Sequence, residues 1–116
     1  MIKDTMVDDW VSVCETADLN PGTGVAVSLG GDQVAVFKMQ KDNAIYAISN
    51  YDPIGKANVL SRGITGSIGD KVVVSSPLYK QHFNLLTGEC LENTNATVKT
   101  YPVRVYDDKI QLQCVD

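Results

Sequence analysis

Apolar positions along the chain come in short runs that alternate with polar residues at a period of two, and glycine, proline, aspartate or asparagine interrupts every run. That period predicts half-buried strands, whereas no stretch carries the 3.6-residue spacing over helical length. Residues 10–14 form a first β-rich run, and the Pro- and Gly-containing stretch after it reads as a loop with room for one helical turn. Residues 23–29 then place Val25, Val27 and Leu29 on one face, Gly30-Gly31-Asp32 turns the chain, and residues 33–39 return as a hairpin partner. After a turn at Lys41-Asp42-Asn43, residues 44–48 make a strand that runs into a loop at residues 50–57. Gly63 and Gly66 bracket Ile64 and Thr65, and Gly69-Asp70 precedes residues 71–75, a continuous apolar strand expected to be covered on both faces. A second loop at residues 76–80 leads to residues 81–84, a Leu85-Leu86-Thr87-Gly88 turn and a polar connection at residues 92–95. Residues 101–106 and 109–113 close the chain as a hairpin about Asp107-Asp108, with Pro102 suited to a strand start. The sum predicts an all-β fold, an antiparallel sandwich or barrel spanning residues 10–116, behind an acidic arm at residues 1–9.

Composition narrows the function classes. A chain of 116 residues with 44% hydrophobic and 21% charged residues is ordinary for one globular domain. Its net charge of −4 and the lack of any basic cluster argue against nucleic acid as a partner. Apolar runs too short for a membrane span and a charged amino-terminal stretch predict no membrane partner and a cytoplasmic location. Cys14, Cys90 and Cys114 are odd in number and widely spaced, so neither a disulfide framework nor a zinc pattern is expected, and free buried thiols are.

Few residues carry candidate chemistry. His82 is the single imidazole; with Asp52, Asn50 or Tyr79 it could hold a hard cation, but a surface or loop-packing role is the ordinary expectation. Ser76 with His82 lacks the third group and the nucleophile elbow of a hydrolase. Gly22-Thr23-Gly24 lacks the lysine and the helix of a phosphate loop. Asp8-Asp9 and Asp107-Asp108 read as solvated charge. The two loops remain: in the expected sandwich they meet at one tip and set Tyr51, Ile54, Leu78 and Tyr79 beside Lys56 and Lys80. Aromatic and aliphatic side chains among cations suit a protein interface, so these six residues are the candidate partner-binding set. Leu78 and Tyr79 could equally serve to pack one loop on the other.

The stretches ISNYDP, VLSRG, SPLYKQHFNLLTGECL and TYPVRVYDDKIQL together resemble the Rieske iron-sulfur domain over residues 10 to about 113. In that family each of two loops supplies one Cys and one His to a two-iron cluster. By this resemblance Asn50 and Ser76 occupy the cysteine slots, and Asp52 and Tyr79 the histidine slots. An amide, a carboxylate, a hydroxyl and a phenol do not reproduce that donor set, so a Rieske-type fold without cluster, cofactor or metal is expected. Such a degenerate domain resembles the small subunits of assimilatory NAD(P)H-dependent nitrite reductases. The resemblance implies a large partner subunit that carries FAD, sirohaem and an iron-sulfur cluster and reduces nitrite to ammonium, with no catalytic residue in this chain. The alternative is a stand-alone Rieske-like adaptor or regulatory module for another oxidoreductase.

Overall fold

The computed structural model describes residues 10–114; the acidic arm at residues 1–9 lies outside the described residues. Eleven strands follow in order: β1 (Val11–Glu15), β2 (Gly24–Leu29), β3 (Asp32–Lys38), β4 (Ile45–Ser49), β5 (Tyr51–Asp52), β6 (Ala57–Asn58), β7 (Ile64–Ile68), β8 (Lys71–Ser75), β9 (His82–Asn84), β10 (Val103–Tyr106) and β11 (Lys109–Leu112). Among the described residues the helical content is two 3-10 turns, Thr16–Asp18 and Leu60–Arg62. All named strand pairs are antiparallel, as the period-two pattern predicts. They form three three-stranded sheets, β1-β11-β10, β2-β3-β4 and β7-β8-β9, and the small β5-β6 ribbon.

Strand β3 lies between two cores. Its odd positions Ala35 and Phe37 pack with Ile48, Leu60, Val74 and Phe83, while Val34 and Val36 pack with Ala47, Ile110 and Leu112. All four of these β3 side chains are fully buried, so the β2-β3-β4 sheet is the middle layer of three. The sequence pattern assigns double coverage to residues 71–75 instead. There it holds at Val73 and Val74, while Lys71 is exposed and Val72 and Ser75 are half-buried.

Two turns show how local chemistry sets register. Leu29 pairs with Asp32 and Tyr106 with Lys109, which leaves two-residue turns at Gly30-Gly31 and Asp107-Asp108. Both residues of each turn have positive φ, the conformation that matches strand twist in tight hairpins. Glycine adopts it without steric cost, and aspartate is among the few other residues that tolerate it.

Three details depart from the sequence pattern. β7 is a full strand where Gly63, Gly66 and Gly69 suggest only punctuation. β1, which the pattern leaves without a partner, joins β11, with Val11 opposite Leu112. Of the three free cysteines only Cys90 is buried; Cys14 is half-buried and Cys114 exposed. Burial, with a smaller contribution from Asp18, pushes the Cys14 thiol up from its ordinary value. On the outer face of the terminal sheet the Arg104 guanidinium lies 4.4 Å from the Trp10 ring and 5.0 Å from that of Tyr106. The same side chain donates to Gln111 Oε1 at 2.7 Å, so packing and polar contacts cover β10 and β11 there.

Candidate functional site

The first loop leaves β4 at Asn50 and folds into the β5-β6 ribbon, in which Tyr51 pairs with Asn58 and Asp52 with Ala57. Asp52 makes the turn. Its Oδ1 accepts the N–H groups of Ile54 and Gly55 at 2.8 and 3.0 Å, and its carbonyl accepts the Lys56 N–H at 2.6 Å. This is the Asx geometry that a short carboxylate supplies at a chain reversal, and Lys56 takes the positive φ that closes it. Asn50 is 2% exposed. Its Nδ2 donates to Gln33 Oε1 at 3.0 Å and its Oδ1 accepts the Ser61 N–H at 2.7 Å, so one amide ties β3 to the Leu60–Arg62 turn.

The second loop joins β8 to β9 above the Ser75–His82 pair. The Ser76 N–H donates to the Gln81 carbonyl at 2.9 Å, and the Lys80 N–H donates to the Ser76 carbonyl at 3.0 Å. Lys80, like Lys56, has positive φ. Ser76 Oγ accepts the Leu78 N–H at 3.3 Å and donates to Asp52 Oδ2 at 2.5 Å. That last bond is the polar link between the two loops. An apolar contact accompanies it, because a Cβ built on Gly55 would overlap Leu78 Cδ1.

Among the described residues four polar side chains are buried, Asn50, Asp52, Ser76 and Asn84, and three of these stand in the slots assigned to cluster ligands. The fourth slot differs. Tyr79 is 66% exposed and points away from the loop floor. Thus three slots have turned inward and bond to the protein itself, and one has turned outward. This donor set does not fit a two-iron cluster. It offers no thiolate and no imidazole, and Asp52 and Ser76 are bonded directly to each other.

The other candidates separate. His82 Nδ1 lies 2.6 Å from Glu92 Oε2, and the His82 N–H donates to Glu92 Oε1 at 2.8 Å. Burial pushes the Glu92 carboxyl up, but hydrogen bonds and charge from His82 outweigh it and hold the group below its ordinary value. His82 is therefore committed to Glu92, whereas Ser76 is committed to Asp52, and no nucleophile–base pair forms. Among the described residues no group of three or more His, Cys, Asp or Glu side chains could hold a metal ion.

The proposed interface residues divide as well. Tyr51, Leu78 and Tyr79 are exposed apolar side chains, and Lys56 and Lys80 are exposed beside them. Ile54 instead is half-buried and packs against the core that contains Phe83 and Leu60. Asp32, Lys99 and Tyr101 escape the sequence reading. With Tyr51 and Pro53 they border a cleft of about 460 Å³ beside the first loop. The Asp32 carboxylate lies 3.9 Å from Lys99 Nζ. Burial first, then the charges of Asp32 and Cys114, pushes the Tyr101 hydroxyl up. No periodicity signal marks these three, because they converge from segments far apart in sequence.

No helix of the described residues is long and apolar enough to cross a membrane. The family model for the Rieske-like [2Fe-2S] domain matches residues 9–113. A nitrite reductase (NADH) small subunit of Salmonella typhimurium strain LT2 is 42% identical over 107 residues, which span 92% of this chain and 99% of that protein. The solution structure of the Escherichia coli protein NirD superposes with a TM-score of 0.84 at 40% identity, covering 93% of this chain and 98% of that one. A nitrite reductase [NAD(P)H] large subunit of Klebsiella oxytoca is 35% identical over 101 residues, which make up 87% of this chain but 10% of that protein. The fold and these likenesses agree: the chain belongs to the nitrite reductase (NADH) small-subunit family of Rieske-like domains.

Proposed function

We propose that this domain is an accessory subunit that docks on the large subunit of a cytoplasmic NAD(P)H-dependent nitrite reductase, and that the chemistry lies in that partner. The partner would carry FAD, sirohaem and an iron-sulfur cluster and reduce nitrite to ammonium. One observation carries the reading: a homologue of this domain forms a tenth of a large-subunit polypeptide in Klebsiella oxytoca. Covalent fusion holds two modules at high effective concentration, which is useful when the separate proteins work as one assembly.

The tip supplies the docking surface in this proposal. Tyr51, Leu78 and Tyr79 form an exposed apolar crest, and Lys56 and Lys80 add positive charge at its border. Asp52 is buried, so the exposed charged side chains of the two loops are cations on a chain of net charge −4. Ile54 supports the crest from below. The partner surface is therefore expected to offer an apolar hollow with an acidic rim, whose opposite charge would favour encounter in one orientation.

The test is coexpression of the encoded large subunit with and without this chain, followed by copurification and NAD(P)H-dependent nitrite consumption. Copurification with higher activity or cofactor retention is the expected result. Absence of both association and effect would reject the assignment and favour an adaptor for another oxidoreductase.

A further inference from the structure

We infer that the open edge of β7 is a self-pairing surface, on which a second copy of this chain docks antiparallel about a two-fold axis through Gly66. β7 pairs with β8 from Ile64–Ser75 to Ile68–Lys71, and among the described residues no other strand joins it. Its far side therefore carries backbone donors and acceptors that another strand can use. Proteins ordinarily blunt such an edge with a charge, a proline or a bulge. The β7 sequence, ITGSI, has no charge and no proline, and its ladder with β8 is unbroken. Ile64 is 76% and Ile68 42% exposed, and a Cβ on Gly66 would meet nothing within 4 Å. Thr65, whose hydroxyl donates to the Gly22 carbonyl at 3.4 Å, faces the other way.

The sequence of the edge identifies its occupant. Arg62-Gly63-Ile64-Thr65-Gly66-Ser67-Ile68-Gly69-Asp70 repeats the same chemistry inward from both ends, with opposite charges at its limits. In antiparallel register about Gly66, Ile64 stands across from Ile68 of the second copy, Thr65 from its Ser67 and Gly66 from its Gly66. Such pairs of branched apolar residues and of hydroxyls are among those that stabilise neighbouring strands. Arg62 ends the 3-10 turn just before β7 and Asp70 lies in the two-residue turn just after it, so the two-fold axis brings these oppositely charged ends towards each other at both limits of the ladder. Both side chains are exposed, and neither makes an ion pair among the described residues. A slip of two residues would set isoleucine against glycine and a charged residue, and would part the charges. The contact is isologous, so it closes as a dimer rather than a filament. Because Ile64 lies beside Ser75 at the second-loop end of the sheet, antiparallel pairing sends the two tips in opposite directions and leaves both open.

Sedimentation velocity on the whole chain, from about 10 μM to about 1 mM, reads this directly, since so short an edge makes a weak dimer. The expected result is a concentration-dependent dimer that Ile64→Lys abolishes while the circular dichroism spectrum stays unchanged. Arg62→Asp and Asp70→Arg each place like charges across the axis and should weaken the dimer roughly tenfold. Their combination should restore it. A wild-type chain that stays monomeric throughout would overturn the inference, including the case in which Ile64→Lys loses only the large subunit. A dimer indifferent to Ile64→Lys, or a double variant as weak as either single one, would also overturn it.

Discussion

The floor and the crest of the tip are built from neighbouring residues, yet they answer to different constraints. On the floor, Asn50, Asp52 and Ser76 are buried polar groups whose hydrogen bonds hold two loops and a 3-10 turn in place. On the crest, Tyr51, Leu78 and Tyr79 are exposed, with two-thirds of Tyr79 open to solvent. Burial raises the cost of losing a polar partner, because the orphaned group cannot turn to water. Exposure removes that cost and leaves a side chain free to serve an interface. Of the four positions that the Rieske resemblance assigns to cluster slots, three are thus buried and hydrogen-bonded and one is exposed.

Substitutions on the two sides can break this contrast. Asp52→Ala should have the largest effect, because it orphans the N–H groups of Ile54 and Gly55 and the Ser76 hydroxyl together. A loss of about 3 kcal/mol is expected, read as a lower urea midpoint with the slope retained. Asn50→Ala removes one donor and one acceptor and should cost about 2 kcal/mol by the same measurement. If either variant unfolds like the wild type, the floor is not what holds the loops. On the crest, Tyr79→Ala and Lys80→Glu should shift stability by less than about 0.5 kcal/mol, as surface changes do. Each should weaken binding to the large subunit roughly tenfold in a titration. Unaltered binding in both would move the interface away from the tip.

The smallest effect belongs to the pair at the base of the second loop, where Glu92 holds His82. Glu92 titrates below its ordinary value of 4.5, so its contribution to stability is present above that pH. It should fade as pH falls through the lower value that the folded state imposes. Glu92→Gln should therefore flatten the acid limb of the stability curve by lowering stability slightly at neutral pH, with little change near pH 3. Thermal melts between about pH 3 and pH 7 compare the two. Coincident curves would show that the pair, 42% exposed on the Glu92 side, is screened by solvent.

Much of this is legible in the sequence. The turns around Gly30-Gly31 and Asp107-Asp108 and the strand-rich pattern follow from local features, namely glycine and aspartate at chain reversals and a period of two, whereas the four cluster slots follow only from the resemblance of whole stretches to the Rieske domain. The exposed crest was legible as a set, with Ile54 the member that packing draws inward. Less legible was β7, because its glycines weaken the strand signal and its partner β8 supplies the ladder that compensates. Double coverage was assigned to β8 rather than β3, because a continuous apolar run reports burial on both faces without saying which strand lies in the middle.

The sequence by itself determined that this is an antiparallel β domain whose two tip loops, residues 50–57 and 76–80, hold no cysteine or histidine, because strand period, turn chemistry and residue identity are properties of short segments. Only the tertiary structure decided that Asp52 and Ser76, 24 residues apart, bond to each other while Tyr79 turns outward. A hydrogen bond between loops depends on where two sheets bring their ends, and that placement is set by the shared packing of β3, β4, β8 and β9 around one core.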